Sequence, residues 1–221
     1  MKKTAAIFDL DGTLITFNFD SKGTKGELLA ELGRAGVAVA GLDTTSPTQA
    51  FLDRARDWMH ARGEGHQYPV MRRRLYSVID SFELESIKAS TLFPGTSETL
   101  HLLKAKGVVL SLVTNSGKAP TEYKLDSLGL SGLFEFVVTR DDVVSMKPSP
   151  EGIVLAISRL PAGVEEVYYV GDSPYDIAAA KSASVKVVSV PTGNYTADRL
   201  RAEGADFLIA SLTELPGILG V

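Results

Sequence analysis

The feature that most constrains the fold of this chain is a set of six short, almost continuously apolar segments separated by helical patterns. Such short apolar runs are typical of parallel strands that are buried on both faces of a sheet. The predicted strands are 4–8, 108–113, 136–139, 167–170, 185–190 and 206–209. Helical patterns lie between them at 97–106, 118–129, 150–160, 174–183 and 196–203. This alternation predicts an α/β fold with a doubly wound parallel sheet.

Residues 16–88 differ from the rest because they contain hardly any strand-like segment. Their amphipathic patterns predict three or four helices, at 25–33, 48–62, 68–79 and, as a shorter fourth, 82–88. The insertion divides the chain into a core of residues 1–15 and 89–221 and an all-helical cap of residues 16–88. Two crossovers, near residues 15 and 90, would let the domains open and close. We expect Phe17 and Phe19 to pack at this hinge.

Polar residues follow four of the predicted strands. Ligands of open parallel sheets bind beyond the carboxyl ends of the strands, so a site is expected at these positions. The segments after the first four strands contain, in that order, Asp9 and Asp11; Thr114, Asn115 and Ser116; Lys147; and Asp172 and Asp176. The topology would bring these acids, one cation and several hydroxyl groups to one edge of the sheet.

The acids of this set need a cation to balance their negative charge. Asp9 and Asp11 are separated by one residue, and an extended backbone would point both side chains to the same side. With Asp172 and Asp176 nearby, the carboxylates repel one another unless a cation lies between them. Oxygen ligands without cysteine or histidine suit magnesium. We therefore expect one Mg²⁺ as the cofactor.

A metal ion beside Lys147 and Thr114 would form a site for an anion, and a phosphoryl group is the expected ligand. A carboxylate can attack phosphorus to give an aspartyl-phosphate, provided that a second group handles the proton of the leaving group. Asp9 and Asp11 can fill these two roles. The sequence therefore predicts phosphoryl transfer.

Composition argues against several other classes of protein. The chain has 221 residues, a formal charge of -4 and no cysteine, so disulfides and thiol catalysis are impossible. No apolar run of about 18 residues occurs, so we expect no contact with a membrane through a spanning helix. The mild acidity argues against binding of nucleic acid. The lack of cysteine permits the cytoplasmic location that we expect, and the sequence carries no signal for an oligomeric state.

In these segments the chain resembles the haloacid dehalogenase (HAD) superfamily of aspartate-nucleophile phosphatases. The matching segments, in family order, are Asp9-Leu10-Asp11-Gly12-Thr13, Thr114-Asn115-Ser116, Lys147-Pro148 and Gly171-Asp172-Ser173-Pro174-Tyr175-Asp176. The insertion after the first segment is similar to the helical cap of the phosphoglycolate phosphatase-like branch. The resemblance implies a Rossmann-like core with an inserted cap, and a phosphatase that acts on a small phosphorylated metabolite.

The resemblance also implies a role for each matching residue. Asp9 is the nucleophile and a Mg²⁺ ligand, and Asp11 is the general acid and base, with its backbone carbonyl on the metal. Thr114 and the backbone amide of Asn115 bind the phosphoryl oxygens. Lys147 neutralises both the nucleophile and the phosphate.

At the metal site, the resemblance implies that Asp172 completes the ligands and that Asp176 either ligates the ion or orients a metal-bound water. The chain departs from the family pattern at two points. The Asp-Ser pair that often opens the cap is missing after Thr13-Leu14, and Ser184 stands where a glycine is usual. The second departure predicts that the turn at Ser184 differs in shape.

Two alternatives to the phosphatase remain open. A phosphomutase of the same family would return the phosphoryl group to a sugar. A phospho-receiver signalling domain also combines carboxylates, threonine and lysine on a doubly wound sheet, and its phosphoaccepting Asp would follow the third strand, where this chain has Asp141 and Asp142. A dehalogenase is disfavoured, because Asp11 supplies a second acid that halide displacement by Asp9 does not require.

Overall fold

The protein is described by a computed structural model that covers residues 3–16 and 18–221. The chain forms two compact units, one from Met1–Phe17 and Ser90–Val221 and the other from Asn18–Ala89. Phe17, one of the two aromatic residues expected at the hinge, lies outside the described residues. Phe19, the other, is partly buried.

The larger unit is built on a six-stranded sheet. Its strands are β1 (Lys3–Phe8), β2 (Val109–Val113), β3 (Phe136–Val138), β4 (Val164–Gly171), β5 (Lys186–Ser189) and β6 (Phe207–Leu208). Their order is β3-β2-β1-β4-β5-β6, and each neighbouring pair is parallel. The chain runs from β1 to one edge of the sheet and then continues from β4 to the other edge. This doubly wound arrangement confirms the predicted α/β fold class.

Hydrophobic residues cover both faces of this sheet. Along β1, Ala6 and Phe8 belong to one core and Ile7 belongs to the other. In β2, Leu112 belongs to the core that contains Phe8, and Val113 belongs to the core that contains Ile7. Because β1 and β2 are buried on both faces, they read as mainly apolar runs instead of alternating apolar and polar residues.

The smaller unit is helical. Its α-helices are α1 (Ser21–Arg34), α2 (Thr48–Ala61) and α3 (Tyr68–Ser86). Both α1 and α2 contact α3. The buried apolar residues of the three helices include Leu28, Leu32, Phe51, Leu52, Leu75 and Ile79.

Two helix boundaries in the smaller unit differ from the prediction. The separate helix at 82–88 is wrong, because α3 continues to Ser86 and a 3₁₀ turn follows at Ile87–Ala89. No glycine or proline interrupts the helix there, and the hydroxyl of Ser81 donates to the carbonyl of Val78 at 2.7 Å. Helix α1 begins before the predicted start at residue 25, because the side chain of Asp20 accepts a hydrogen bond from the amide of Gly23 at 2.8 Å and caps the helix.

Further helices pack around the sheet of the larger unit. They are α4 (Thr96–Ala105), α5 (Lys118–Ser127), α6 (Glu151–Ser158), α7 (Pro174–Ser182), α8 (Ala197–Ala202) and α9 (Leu215–Leu219). The sequence pattern predicts all of them except α9, which is short and contains Pro216 and Gly217, both poor helix formers. Among residues 3–16 and 18–221, no helix has both the length and the apolar character needed to cross a membrane.

Hydrogen bonds join the two points of the larger unit between which the helical unit is inserted. The amide of Thr16 donates to the carbonyl of Thr91 at 2.9 Å, and the amide of Thr91 donates to the hydroxyl of Thr16 at 3.0 Å. Ile15 and Leu92 form an antiparallel bridge beside them. The chain therefore leaves and re-enters the larger unit at one place.

Ser184 lies in the turn after α7 with a φ of 59°, in the left-handed region that favours glycine. Its amide donates to the carbonyl of Lys181 at 2.9 Å, and the amide of Val185 donates to the carbonyl of Ala180 at 2.9 Å. These bonds end α7 in the way that a glycine would. The serine thus keeps a glycine-type turn, contrary to the expectation of a different shape, and bears the steric strain of a Cβ there.

Replacing Ser184 by glycine should stabilise the protein by about 1 kcal/mol, because glycine adopts this conformation without strain. In a chain of this size, the change should raise the melting temperature by about 2–4 °C, as measured by circular dichroism. Ser182→Gly, at the last residue of α7, is the matched control and should not stabilise the protein, because the residue is helical there and glycine is a poor helix former. A lower melting temperature for Ser184→Gly would contradict this account of the turn.

Candidate active site

The carboxyl ends of the two central strands bring Asp9 and Asp172 together. Strands β1 and β4 are adjacent, with Phe8 paired with Val170, and each aspartate directly follows its strand. The amide of Asp9 donates to the carbonyl of Val170 at 2.9 Å. Carboxylate oxygens of Asp9, Asp172 and Asp176 lie within 4.8 Å of one another, and all three residues are buried.

Asp176 is positioned by the start of α7. Its Oδ2 accepts hydrogen bonds from the amide of Ser173 at 3.0 Å and from the hydroxyl of Ser173 at 2.6 Å, and the same hydroxyl accepts from the amide of Asp176 at 3.3 Å. Its Oδ1 accepts from Lys147 at 2.7 Å and from the hydroxyl of Tyr169 at 3.0 Å. One oxygen of Asp176 therefore caps α7, and the other oxygen binds the ammonium group of Lys147.

Lys147 lies at the centre of the cluster, in the loop between β3 and α6. Its ammonium group donates to Oδ1 of Asp9 at 2.6 Å, to Oδ1 of Asp176 at 2.7 Å and to the hydroxyl of Tyr169 at 2.8 Å. Burial alone would lower the pKa of Lys147, but the carboxylates of Asp176 and Asp9 outweigh burial and raise this pKa well above its usual value. The lysine therefore stays charged.

One lysine does not neutralise three carboxylates. Burial raises the pKa of Asp9 to about 7 in spite of Lys147, and the charge of Asp176 adds to the rise. Burial, followed by the charges of Asp9 and Asp176, raises the pKa of Asp172 to about 8. A buried set of oxygen donors with excess negative charge is suited to a hard divalent cation. The residues present therefore fit such an ion.

Tight packing holds the carboxylate of Asp172 in place. The hydroxyl of Thr13 donates to Oδ1 of Asp172 at 2.8 Å and lies 3.5 Å from Oδ2 of Asp9. Gly12 has a φ of 92°, and a Cβ at either Gly12 or Gly193 would overlap the carboxylate of Asp172. The glycine after Asp11 thus permits both the turn of the chain and the close approach of an acid.

The loop after β2 is tied to Lys147 by the side chain of Asn115. Oδ1 of Asn115 accepts from the amide of Lys147 at 2.9 Å, and Nδ2 donates to the carbonyl of Lys147 at 3.1 Å. Thr114 is buried, and its hydroxyl accepts from the amide of Ser116 at 3.0 Å. Arg140 supports the loop by donating to the carbonyl of Asn115 at 3.1 Å. Thr114 and Asn115, which follow β2, thus belong to a loop that is bonded to Lys147, and Lys147 in turn contacts Asp9.

Asp11 lies outside the cluster of three acids. Its Oδ1 accepts from the ammonium group of Lys124 at 2.6 Å, and its Oδ2 accepts from the hydroxyl of Ser116 at 2.7 Å. Asp9 and Asp11 therefore bind different lysines. Among the described residues, the group of side chains that could hold a metal contains Asp9, Asp172 and Asp176 but not the carboxylate of Asp11.

The two acids that follow β3 make structural contacts. Oδ2 of Asp142 accepts from the amide and the hydroxyl of Thr139, each at 2.9 Å. Oδ2 of Asp141 accepts from the amide of Lys118, the first residue of α5, at 2.7 Å. Because both side chains cap helical turns, their contacts disfavour the phospho-receiver alternative.

Three residues of the site, Thr13, Lys124 and Tyr169, make contacts that the sequence motifs do not specify. Tyr169 is hidden in an apolar strand, where tyrosine is ordinary. Thr13 belongs to a turn segment in which a hydroxyl is common. Lys124 has a detectable signal, because it is a charged residue on the same face of α5 as the buried Thr121 and Leu125.

Known proteins resemble this chain along nearly its whole length. A family model described as "Hydrolase: haloacid dehalogenase-like hydrolase" matches residues 3–184. A relative from Cupriavidus necator named "Phosphoglycolate phosphatase, plasmid" is 31% identical over 222 residues, which cover 98% of this chain and 93% of that protein.

Two crystal structures share the fold. One from Bacteroides fragilis, described as a "Putative haloacid dehalogenase-like hydrolase", has a TM-score of 0.66 and 28% identity, and the match covers 97% of this chain and 100% of that chain. One from Thermotoga maritima, described as a "putative beta-phosphoglucomutase", has a TM-score of 0.63 and 24% identity, and the match covers 100% of this chain and 99% of that chain.

The raised pKa values predict that the metal-free protein becomes less stable as the pH rises. In the unfolded chain these acids ionise near about pH 4, whereas the folded protein retains protons on Asp9 and Asp172 up to about pH 7 and about pH 8. Between these limits the folded state binds more protons than the unfolded state, so the free energy of unfolding falls with increasing pH. Thermal unfolding in the presence of EDTA at about pH 5 and about pH 8 measures the fall.

Mg²⁺ should oppose this loss of stability, because it would bind the ionised carboxylates of the folded state. At about 100 times its dissociation constant, a ligand of the folded state stabilises by about 2.7 kcal/mol. The rise in melting temperature should be larger at the higher pH. Asp172→Asn should abolish the rise, whereas Asp198→Asn, at a side chain that is 93% exposed, should retain it. Equal responses of wild type and Asp172→Asn would contradict a cation site here.

Proposed function

The chain belongs to the haloacid dehalogenase-like hydrolases and is a phosphatase of that family, and on this premise we propose that it hydrolyses a small phosphorylated metabolite with Mg²⁺ through an aspartyl-phosphate on Asp9. The observation that carries the proposal is the environment of Asp9. Its Oδ1 is held by Lys147 at 2.6 Å, whereas its Oδ2 has a 3.5 Å contact with the hydroxyl of Thr13. One oxygen is fixed, and the other is available to attack phosphorus.

In the first half of the reaction, Oδ2 of Asp9 forms a bond to phosphorus while the bond from phosphorus to the leaving oxygen breaks. Asp11 enters this half with the proton that it takes from water in the second half, and it donates that proton to the leaving oxygen, so the alcohol departs as a neutral molecule. Lys147, the hydroxyl of Thr114 and the backbone amide of Asn115 stabilise the charge on the phosphoryl oxygens.

In the second half, Asp11 is ionised and accepts a proton from a water molecule as the water oxygen attacks phosphorus. The bond between phosphorus and Asp9 breaks, which restores the carboxylate of Asp9 and releases inorganic phosphate. The net reaction converts one phosphate monoester and one water into an alcohol and phosphate. Asp11 therefore acts first as an acid and then as a base.

Asp9, Asp172 and the backbone carbonyl of Asp11 would hold Mg²⁺, which when bound neutralises excess carboxylate charge and polarises a phosphoryl oxygen. The fit rests on the buried carboxylates of Asp9 and Asp172, whose oxygens lie within 4.8 Å of each other and of an oxygen of the buried Asp176, which adds to the negative charge. Both oxygens of Asp176 already accept hydrogen bonds from protein groups. These bonds favour a role for Asp176 in orienting its neighbours over direct ligation.

Substrate selection is assigned in this proposal to the helical unit, Asn18–Ala89, acting as a cap. The unit is inserted directly after the segment that carries Asp9 and Asp11. The relative from Cupriavidus necator is named a phosphoglycolate phosphatase. Phosphoglycolate is therefore the first candidate substrate.

A screen with Mg²⁺ should identify the substrate class. It should include phosphoglycolate, sugar phosphates, nucleotides, pyrophosphate and an aryl phosphate, with phosphate release and isomerised product both measured. We expect phosphate release from a small monoester, with kcat/KM about tenfold or more above that for a nucleotide. Isomerisation of a sugar phosphate with little release of phosphate would instead identify a phosphomutase.

Asp9→Asn should lower kcat about 1,000-fold or more, because an amide oxygen is a poor nucleophile. The far-ultraviolet circular dichroism spectrum should stay unchanged. Asp198→Asn, which alters a side chain that is 93% exposed, is the matched control and should keep its activity. Wild-type activity in Asp9→Asn would remove Asp9 from the role of nucleophile.

A further inference from the structure

Lys124 makes contacts that the reaction proposed above does not explain. We propose that Lys124 is a positioning residue that, with Ser116, holds the carboxylate of Asp11 in place for proton transfer. This inference rests on the proposed phosphatase function and adds a residue that lies outside the four motif segments.

Lys124 is buried in the larger unit. It is 1% exposed and shares the buried face of α5 with Pro120, Thr121 and Leu125. A lysine is almost never buried so fully unless its charge is paired, because the loss of hydration is otherwise too unfavourable. Asp11 is the partner, in an ion pair of 2.6 Å.

Lys124 and Ser116 hold the two oxygens of Asp11 separately. The ammonium group donates to Oδ1 at 2.6 Å, and the hydroxyl of Ser116 donates to Oδ2 at 2.7 Å. The ammonium group also donates to the hydroxyl oxygen of Ser116 at 3.3 Å, which closes a network of three groups. A carboxylate held in this way has little freedom to rotate.

The network also connects Asp11 to the loop that is proposed to bind phosphate. The amide of Ser116 donates to the hydroxyl of Thr114 at 3.0 Å. On the other side of the site, Lys147 holds Asp9 at 2.6 Å. Each of the two proposed reacting aspartates is thus held by its own buried lysine, one from a helix and one from a loop.

Proton transfer depends on this placement. A general acid must lie within hydrogen-bonding reach of the leaving oxygen, and a displacement of about 1 Å can lower the rate about 100-fold. The side chain of Asp11 is 16% exposed, whereas that of Lys124 is 2% exposed. Asp11 is therefore the member of the pair that can meet a substrate, and Lys124 acts through it.

The dependence of the rate on the leaving group tests this role. An alkyl phosphate needs a proton on its departing oxygen, whereas 4-nitrophenyl phosphate expels a stable phenolate and needs little help from an acid. For Lys124→Met, we expect kcat/KM to fall about 100-fold with the best alkyl phosphate of the screen but less than about threefold with 4-nitrophenyl phosphate. Loss of packing alone would lower both values equally.

Three further variants complete the comparison. Asp11→Asn should show the same preference for the aryl ester, and adding Lys124→Met to it should cause no further loss with the alkyl ester, because the two side chains act as a unit. Lys118→Met alters a lysine of the same helix that is 68% exposed, and it should leave both values unchanged. Ser116→Ala removes the second donor to Asp11 and should show a smaller loss with the same preference, which provides the test if Lys124→Met does not fold.

The outcomes separate this inference from the proposed function. Equal losses with both esters for Lys124→Met and for Ser116→Ala, while Asp11→Asn keeps its preference, would overturn the role of Lys124 and leave the phosphatase intact. If wild type releases phosphate from neither ester, or if Asp11→Asn shows no preference, the proposed function or mechanism fails and the role of Lys124 fails with it.

Discussion

Three buried carboxylates share one buried lysine at the carboxyl end of the sheet, and the rest of the site depends on this imbalance of charge. Lys147 binds Asp9 and Asp176 directly, whereas Asp172 accepts a hydrogen bond from the hydroxyl of Thr13. Burial and repulsion between the acids raise the pKa of Asp9 to about 7 and that of Asp172 to about 8. Full ionisation of the cluster near neutral pH therefore calls for another cation, which connects the fold to the proposed metal and to the attack by Asp9.

The topology of the sheet creates this arrangement from distant parts of the sequence. The strand order reverses at β1 and β4, so the residues after these two strands meet at the point where ligands of doubly wound sheets bind. The side chain of Asn115 then binds both the backbone amide and the backbone carbonyl of Lys147 and sets the position of the lysine. Placement of the acids thus follows from strand order, and placement of their counter-charge follows from loop contacts.

The fold and the strand-end residues could be predicted because burial on both faces leaves a plain pattern of apolar runs, each followed by polar residues. The hydrogen-bond partners of these residues could not be predicted, because they depend on tertiary contacts. A tyrosine in an apolar strand, such as Tyr169, gives no sign that its hydroxyl accepts a hydrogen bond from Lys147. The helical unit was predicted less well at its boundaries. The early start of α1 depends on the cap from Asp20, and the uninterrupted α3 reflects the lack of any strong helix breaker near Ser81.

Chemical identification of the phosphorylated residue tests the central claim most directly. Asp11→Asn should still accept the phosphoryl group from 4-nitrophenyl phosphate but should lose it slowly, so that rapidly quenched protein retains an acyl phosphate. Borohydride reduces an acyl phosphate to an alcohol, and peptide mass spectrometry then locates the altered residue. We expect the alteration at Asp9 and only with Mg²⁺ present. Alteration of a different residue, or equal labelling without a divalent cation, would contradict the central role of this acid cluster.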